Sequence, residues 1–306
     1  MADIILHHYD RSPFSEKVRL VFGLKGISWR AVEIPAWAPK PDLTPLTGGY
    51  RRTPVMQIGA DIYCDTRIIL REIDRRFPKP ALYGSGGGEL IAAWADSAFF
   101  INAVGVAFGS VADGFPKELI EDREKFTGGR FSAARFKAAQ PTLRAQYRAQ
   151  LASIEEAFAD GRNYLLGSSP SIADFALYHP LWFVRRNVRD LDFLESHASL
   201  RAWRERMDKL GHGTRAPLDA KAALEIARSA EPAGVAESSY PDASGCRVGQ
   251  QVTVAANDYG RDAVAGKLLA IDGTEIVIRR RDDFVGDLNV HFPRVGFDVA
   301  AGSQPS

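Results

Sequence analysis

The sequence contains few cysteines and almost no net charge. Cys64 and Cys246 are the two cysteines among 306 residues, and they lie far apart in the chain. We therefore expect a reduced, cytoplasmic protein. Lysines and arginines number 39 against 38 aspartates and glutamates, which gives a formal charge of +1. Proteins that bind nucleic acid or an anionic membrane usually carry a basic excess, so the composition favours neither partner.

The sequence also lacks a stretch that is typical of a leader or a membrane span. The amino terminus, MADIILHHYD, has no basic segment followed by a long apolar one. The most apolar window, residues 91–115, contains Asp96 and Asn102, which favours a buried helix over a membrane span. We therefore expect no membrane anchor.

Three regions differ in their pattern of strands and helices. Residues 1–80 alternate strand and helix signals around a hairpin, which predicts a small α/β sheet. Residues 89–230 are almost entirely amphipathic and predict an all-α domain. Residues 246–306 contain short strands joined by tight turns and predict a small all-β module. At about 60 residues this module is near the lower limit for independent folding, so we expect it to lean on the helical domain.

Two helix starts carry clear signals. Ser12 is a favoured N-cap type, and Pro13 falls on the first helical position, where a missing N–H costs nothing. An apolar run ends shortly before, which predicts strand, turn and helix with Ser12 at the positive end of the helix. Ser171 followed by Asp174 is an acidic capping box and predicts a central, buried helix. Taken alone, Ser12 is sufficiently explained as a helix cap.

Other chemical motifs are weak. His7 and His8 are adjacent, so on a strand their side chains point to opposite faces and share no metal. A hydrolase centred on Ser12 would need a G-x-S-x-G elbow, which the sequence around it does not have. The run GSGGG at 84–88 is not followed by Gly-Lys-Ser/Thr and predicts a linker, not a phosphate loop. We expect no metal site.

The tetrapeptide SPFS at 12–15 looks like the redox motif of thioredoxins and glutaredoxins with serine in place of both cysteines, which excludes dithiol exchange. With RTPV at 52–55 and DT at 65–66, it resembles the cytosolic glutathione S-transferases over residues 1–212, with the motif of the serine-type, tau- and omega-like classes. The resemblance implies a thioredoxin-like first domain and an all-helical second domain. It also implies a homodimer and glutathione as co-substrate, without a metal, and makes the β module an addition to the usual fold.

The resemblance assigns roles to nine residues. Ser12 would donate to the glutathione sulfur and stabilise the thiolate, and Tyr9 is the alternative donor. The backbone around Thr53, a cis Pro54 and Val55 would pair with the cysteinyl unit, while Asp65 and Thr66 would hold the γ-glutamyl end. Arg52 and Lys40 would meet a glutathione carboxylate.

Two functions of different classes fit these residues. The first is a transferase that directs the glutathione thiolate at a small apolar electrophile, in a pocket between the domains. Trp94, Phe99 and Phe100 could line that pocket, although their helical spacing fits plain core equally well. The second is a non-catalytic glutathione-binding or interaction protein on the same scaffold. Glutathione-dependent lyase or isomerase chemistry at the same site is a third alternative, which the sequence does not separate from conjugation.

Overall fold

One mixed sheet of ten strands runs through the molecule. The computed structural model describes residues 3–84, 86–111, 114–236 and 242–302, and the sheet order is β10-β6-β7-β8-β9-β4-β3-β1-β2-β5. Residue 85 of the predicted linker, residues 237–241 between the predicted helical and β regions, and the predicted module's last residues, 303–306, lie outside this range. The strands are β1 (Ile5–His8), β2 (Ser28–Glu33), β3 (Val55–Ile58), β4 (Asp61–Cys64), β5 (Thr214–Pro217), β6 (Gln251–Ala256), β7 (Val264–Ile271), β8 (Glu275–Asp282), β9 (Gly286–Pro293) and β10 (Phe297–Ala301).

Twelve α-helices and one π-helical turn are present in the described part of the chain. They are α1 (Pro13–Leu24), α2 (Thr44–Thr47), α3 (Thr66–Arg76), α4 (Gly88–Trp94), the π-turn (Ala95–Phe99), α5 (Phe100–Val111), α6 (Lys117–Phe126), α7 (Ala133–Ala138), α8 (Gln140–Ala157), α9 (Ile172–Asn187), α10 (Asp192–Glu195), α11 (Ala198–Asp208) and α12 (Ala220–Ser229).

Strands β1 to β4 and helices α1 and α3 form the thioredoxin-like domain. β1 pairs in parallel with β2 and antiparallel with β3, and β3 turns into β4 through Gly59 and Ala60. Gly59 has a φ of 61°, a value that glycine adopts without a steric penalty. The predicted α/β domain and its hairpin are confirmed.

Helix α9 is the centre of the helical domain. The backbone N–H and hydroxyl of Ser171 both donate to Asp174 Oδ2, each at 2.9 Å. The other carboxylate oxygen, Oδ1, accepts from the Leu165 N–H and the Trp203 indole N–H, each at 2.9 Å. Because Asp174 is fully buried, these four bonds fix the start of the helix. The central, buried helix predicted from the capping box is confirmed.

After α11 the chain returns to the sheet. β5 pairs in parallel with β2, and α12 contacts the sheet where Gln57 Nε2 donates to the Ala223 carbonyl at 2.9 Å. Ala223, Leu224 and Ala227 belong to the apolar core on this face of the sheet. Within the range predicted as all-α, residues Thr214–Pro217 therefore form a strand, whereas Ala220–Ser229 are helical and pack on the sheet.

The C-terminal strands extend the same sheet. β9 pairs in parallel with β4, with Asp61 opposite Asn289 and Tyr63 opposite His291. Asn289 Nδ2 and a ring nitrogen of His291 lie 2.9 and 3.2 Å from Asp61 Oδ1. The strand-rich region is therefore attached mainly to the thioredoxin-like sheet. The sequence predicts that the region leans on the helical domain; it does contact that domain at Phe126 and Arg130, but its strand pairing is with β4.

The run from α4 to α5 is unusually apolar. Residues Gly88–Ser110 are long and apolar enough to cross a membrane by length and composition alone, with 39% of the most apolar window buried. A core helix of a soluble protein passes the same test, so this is weak support for a span. Both α4 and α5 pack on α9, while Leu90 and Ile101 remain exposed. The absence of a membrane anchor stays a prediction.

Candidate functional site

The turn between β1 and α1 carries Ser12 at the start of the helix. Its N–H donates to the Tyr9 carbonyl at 3.1 Å, and its Oγ accepts from the Ser15 N–H at 3.2 Å. Ser12 is buried, as is Pro13 at the first helical position. A polar side chain at a buried helix N-terminus lies where the partial positive charge of the helix is concentrated. The expected cap is present, and the buried Ser15 hydroxyl beside it has no hydrogen-bond partner among the described residues.

Tyr9 lies beside a residue that the sequence did not suggest. The Nη2 atom of Arg123, on α6, lies 3.4 Å from the Tyr9 hydroxyl and donates to the Ala36 carbonyl at 2.7 Å. Its Nη1 atom pairs with Asp122 Oδ2 at 2.7 Å. The helical domain therefore places a positive charge over the end of β1, next to the Ser12 turn.

A cis peptide bond joins Thr53 to Pro54 at the start of β3. Val55, which follows, is fully buried and is in register with His7 of β1 and Cys64 of β4. Thr53 precedes the strand, and its Oγ1 accepts from Lys40 Nζ at 2.7 Å. Lys40 thus fixes the Thr53 side chain at the point where the chain enters β3.

Asp65 has the only positive φ among the non-glycine residues that the structure describes, at 94°. Its Oδ1 accepts from the Arg67 N–H at 2.9 Å, so Asp65 caps α3. Burial raises the pKa of Asp65, while the charges of Arg67, Arg52 and Lys17 oppose that rise. A left-handed aspartate is strained, and such strain is concentrated at binding sites.

Thr66, the first residue of α3, is tied to a buried network between the two domains. Its Oγ1 accepts from Lys17 Nζ at 3.3 Å, and the same ammonium pairs with Asp96 Oδ2 at 2.6 Å. Asp96 Oδ1 lies 2.8 Å from a ring nitrogen of His179 on α9. Lys17 and His179 hold the pKa of Asp96 at about 2 despite its burial. The network joins α1 and α3 to the helical domain.

Lys40 and Arg52 both lie at the cleft and both already have partners. Lys40 is buried, and burial together with the charges of Arg123 and Arg51 lowers its pKa to about 7. Arg52 donates to the Asp258 carboxylate and the Tyr259 carbonyl, and its guanidinium lies 4.1 Å from the centre of the Tyr259 ring. Lys40 and Arg52 therefore lie among further charged groups, since Arg51 and Arg123 act on Lys40 and Asp122 and Asp258 pair with the arginines.

The aromatic residues predicted for a second-substrate pocket divide between core and cleft. Phe99 is fully buried and stacks on Tyr147, with ring centres 5.1 Å apart, so it is core. Phe100 contacts Phe14 of the SPFS motif, with ring centres 4.7 Å apart. On the Arg11 side of the cleft, Phe115 stacks on Phe108 at 4.0 Å, and Arg11 lies 5.9 Å from the Phe115 ring centre.

The chain is similar to known proteins in both sequence and structure. The N-terminal domain model of the glutathione S-transferases matches residues 6–81, and the C-terminal domain model matches residues 137–206. The structure of a GST-like protein from Pseudomonas syringae is 39% identical with a TM-score of 0.78, and the alignment covers 99% of this chain and 100% of that one. The chain belongs to the glutathione S-transferase superfamily. A search of curated proteins finds no match.

Solved structures of lower sequence identity share the fold over part of the chain. A glutathione S-transferase from Rhodospirillum rubrum F11 is 19% identical with a TM-score of 0.53, covering 67% of this chain and 87% of that one. FzlA from C. crescentus is 22% identical with a TM-score of 0.52 and has the same coverage. The alignment with the Pseudomonas syringae protein, by contrast, covers 99% of this chain and so includes the β module.

Three residues of the cleft were missed by the sequence interpretation. Arg123 lies in an ordinary amphipathic helix, and Asp258 and Tyr259 lie in what appeared as a turn between two strands. The distance along the chain from Arg52 to Asp258 is about 200 residues, and no local pattern connects them. The described residues include no group of three or more His, Cys, Asp or Glu placed to hold a metal ion.

Proposed function

We propose that this protein binds glutathione in the cleft beside Ser12 and activates its thiol for attack on a small apolar electrophile. The observation that carries the proposal is the buried Ser12 hydroxyl at the N-terminus of α1, next to the cis Thr53–Pro54 bond and the strained Asp65. Membership of the glutathione S-transferase superfamily supports the ligand. The chemistry below derives from these residues.

Ser12 would stabilise the thiolate and would not itself attack. A free thiol has a pKa of about 8.5, so making it mostly ionised near neutral pH needs a shift of about two units, or about 2.7 kcal/mol. A hydroxyl hydrogen bond to a charged sulfur contributes about 1.5–3 kcal/mol. The helix N-terminus adds about 0.3–1 kcal/mol, and up to about 2 in a partly buried geometry. Together these two contributions are large enough to lower the thiol pKa by about two units without a metal.

The remaining residues would bind the peptide. Asp65 and Thr66, at the N-terminus of α3, would take the γ-glutamyl end. The backbone at Thr53 and Pro54 would pair with the cysteinyl unit, since Val55 is already in register with two strands. Lys40 and Arg52 would take the glycyl carboxylate, in the part of the cleft with the most positive charge.

Tyr9 remains the alternative donor to the sulfur. Its hydroxyl lies 3.4 Å from Arg123 Nη2, which leaves its proton free for another acceptor. The electrophile would lie beyond it, against Phe115 and Phe108. Arg11 at the edge of that aromatic surface suits an electrophile that develops negative charge as it reacts.

A binding test and a turnover test together decide between the readings. Isothermal titration with glutathione and a conjugation assay with an aromatic electrophile are run on the wild type and on Ser12→Ala. We expect millimolar or tighter binding to the wild type and a loss of turnover of about 30-fold or more in Ser12→Ala, since one charged hydrogen bond is removed. Ser132→Ala removes a second N-cap, at α7, and should leave turnover unchanged. Turnover that survives Ser12→Ala would transfer the role to Tyr9.

A second candidate function is a glutathione-binding or interaction protein without turnover. The observation that favours it is the occupation of both basic ligands by groups of the chain itself, Lys40 by Thr53 and Arg52 by Asp258. Binding without conjugation would support this function. Product formation without net consumption of glutathione would instead indicate lyase or isomerase chemistry.

The assembly we propose is a homodimer in the cytoplasm. Leu90, Trp94 and Ile101 are exposed large apolar side chains on the run from α4 to α5, at spacings of four and seven residues that place them on one face. Both cysteines are unpaired, as is usual in a reducing compartment.

A further inference from the structure

The loop between β6 and β7 enters the cleft from the C-terminal strand-rich region. This loop, residues 257–263, places Asp258 and Tyr259 on Arg52 of the thioredoxin-like domain. Arg52 donates to both carboxylate oxygens of Asp258, Nη2 to Oδ1 and Nη1 to Oδ2, the latter at 3.4 Å. The arrangement is a two-point guanidinium–carboxylate pair, the geometry in which arginine binds a peptide carboxylate.

The loop is held in this position by contacts to the helical domain. Gly260 N–H donates to the Phe126 carbonyl at 3.0 Å, and Arg130 donates to the Asp258 carbonyl at 2.9 Å. A Cβ on Gly260 would lie 2.1 Å from the Phe126 ring, so only glycine allows this approach. The loop is therefore seated by backbone contacts that do not depend on the Asp258 carboxylate.

Arg51, next in the chain, makes a parallel set of contacts. Its guanidinium lies 3.7 Å from the Phe126 ring centre, pairs with Asp122 at 2.8 Å and lies 3.5 Å from Asp262 of the same loop. The side chains of Asp258 and Asp262 are about equally exposed, at 48% and 52%. The two aspartates differ in which arginine they meet.

We propose that Asp258 is a specificity-determining residue of the thiol site, because its carboxylate occupies the guanidinium of Arg52 that a glycyl carboxylate would bind. This inference rests on the proposed function. A γ-glutamyl thiol with an uncharged far end needs no such partner and loses nothing to Asp258. Glutathione has to compete with Asp258 for Arg52. The site therefore discriminates less against γ-glutamyl thiols whose C-terminal end is neutral, such as an ester or amide, than it would with Arg52 free.

The test compares glutathione with its glycine monoethyl ester, which differs in that one carboxylate. Dissociation constants are measured by isothermal titration for the wild type, Asp258→Asn and Asp262→Asn. We expect the wild type to separate the dissociation constants of glutathione and the ester by less than Asp258→Asn does, since Lys40 is present in both. In Asp258→Asn, glutathione should bind about tenfold tighter, since a close charge pair at a half-exposed site becomes available, and the ester should change by less than twofold. Asp262→Asn makes the same charge change on the same loop and should shift both ligands by less than twofold.

Two results would overturn the inference while leaving the proposed function intact. One is an equal shift for the two ligands in Asp258→Asn, which would indicate a general charge effect. The other is unchanged or weaker glutathione binding in that variant, which would show that Asp258 does not compete. If neither thiol binds the wild type or Asp258→Asn at millimolar concentration, the proposed function fails and the inference fails with it.

Discussion

Lys40 is the residue whose ionisation most directly reports on an anion in the cleft. Burial and the neighbouring charges of Arg123 and Arg51 lower its pKa to about 7, while Asp122 opposes them. Its Nζ donates to Thr53 Oγ1, immediately before the cis bond. A carboxylate bound beside it would favour the ammonium form and raise the pKa again. Binding above pH 7 should therefore take up a proton.

The expected consequence is a pH-dependent affinity for S-methylglutathione, which has no thiol to titrate. Below about pH 6.5 the free Lys40 is already charged and the affinity should be flat. Above pH 7 it should fall by up to about tenfold per pH unit, because each binding event must recruit one proton. Titrations at pH 6, 7 and 8 measure it. Lys40→Met should remove the dependence, and Lys117→Met, at an exposed lysine, should preserve it. A flat wild-type profile would exclude Lys40 from the anion site.

At the residue scale, the sequence predicts those parts of the candidate site that are marked by backbone requirements. Ser12 and Pro13 are recognisable as a helix start, and Pro54 and Asp65 stand in motifs whose order and spacing are local. Arg123 and Asp258 could not be found in this way. Each is an ordinary polar residue whose role depends on a tertiary contact made across more than 100 residues.

At the element scale, the pairing of β9 with β4 depends on a buried polar cluster. The two ring nitrogens of His291 lie 2.5 Å from Glu275 Oε1 and 3.2 Å from Asp61 Oδ1. The ring stacks on Tyr63, with ring centres 4.4 Å apart. Burial opposes the charged imidazole, but hydrogen bonds to Asp61 and Glu275 outweigh it and raise the pKa of His291. The pKa of Asp61 is lowered, with burial opposed by His291, the Ala233 N–H and Asn289.

The raised pKa of His291 makes the free energy of unfolding depend on pH. The His291 contribution is fully present below the usual histidine pKa of 6.5 and is lost as the pH rises through the raised value. Urea unfolding should therefore show a loss of about 1–3 kcal/mol in His291→Gln at pH 6, shrinking as the pH rises to 9. A constant difference between pH 6 and pH 9 in His291→Gln would contradict a charged histidine at this junction.

Elements with a strong local signal were predictable, and elements defined by their partners were not. The β3–β4 hairpin has a glycine at its turn, and α9 has a capping box, so both appear in the sequence. β5 is four residues, Thr214–Pro217, with no alternation of buried and exposed side chains. It is a strand because it pairs with the edge of β2. The chain returns to that edge only after it has passed through the helical domain, so no local pattern marks the strand.

At the scale of the whole molecule, the exposed apolar face of α4 and α5 predicts self-association. Leu90 and Ile101 are 78% and 62% exposed, and burying such residues against a second copy removes apolar area from water. Light scattering after size exclusion should give twice the chain mass of 33.6 kDa for the wild type and the single-chain mass for Leu90→Glu with Ile101→Glu. Val295→Glu, at an equally exposed position on the β module, should stay dimeric. A monomeric wild type would refute this interface.

The fold class of each region could be predicted from the sequence, but the connection between the regions could not. Composition separates the α/β, helical and β regions, yet nothing in it indicates that β9 completes the sheet of the first region. Parallel pairing of β4 with β9 brings together residues more than 200 positions apart. The same connection carries the β6–β7 loop into the cleft, and thereby makes the additional module part of the candidate site.

The account depends most on the ionisation of a glutathione thiol held at Ser12. The direct measurement is the ultraviolet thiolate absorbance of glutathione bound to the protein, followed as a function of pH. We predict an apparent pKa of about 6.5 for the bound thiol, against about 8.5 for a free thiol, and a return towards the free value in Ser12→Ala. A bound thiol that titrates at about 8.5 in the wild type would contradict the account.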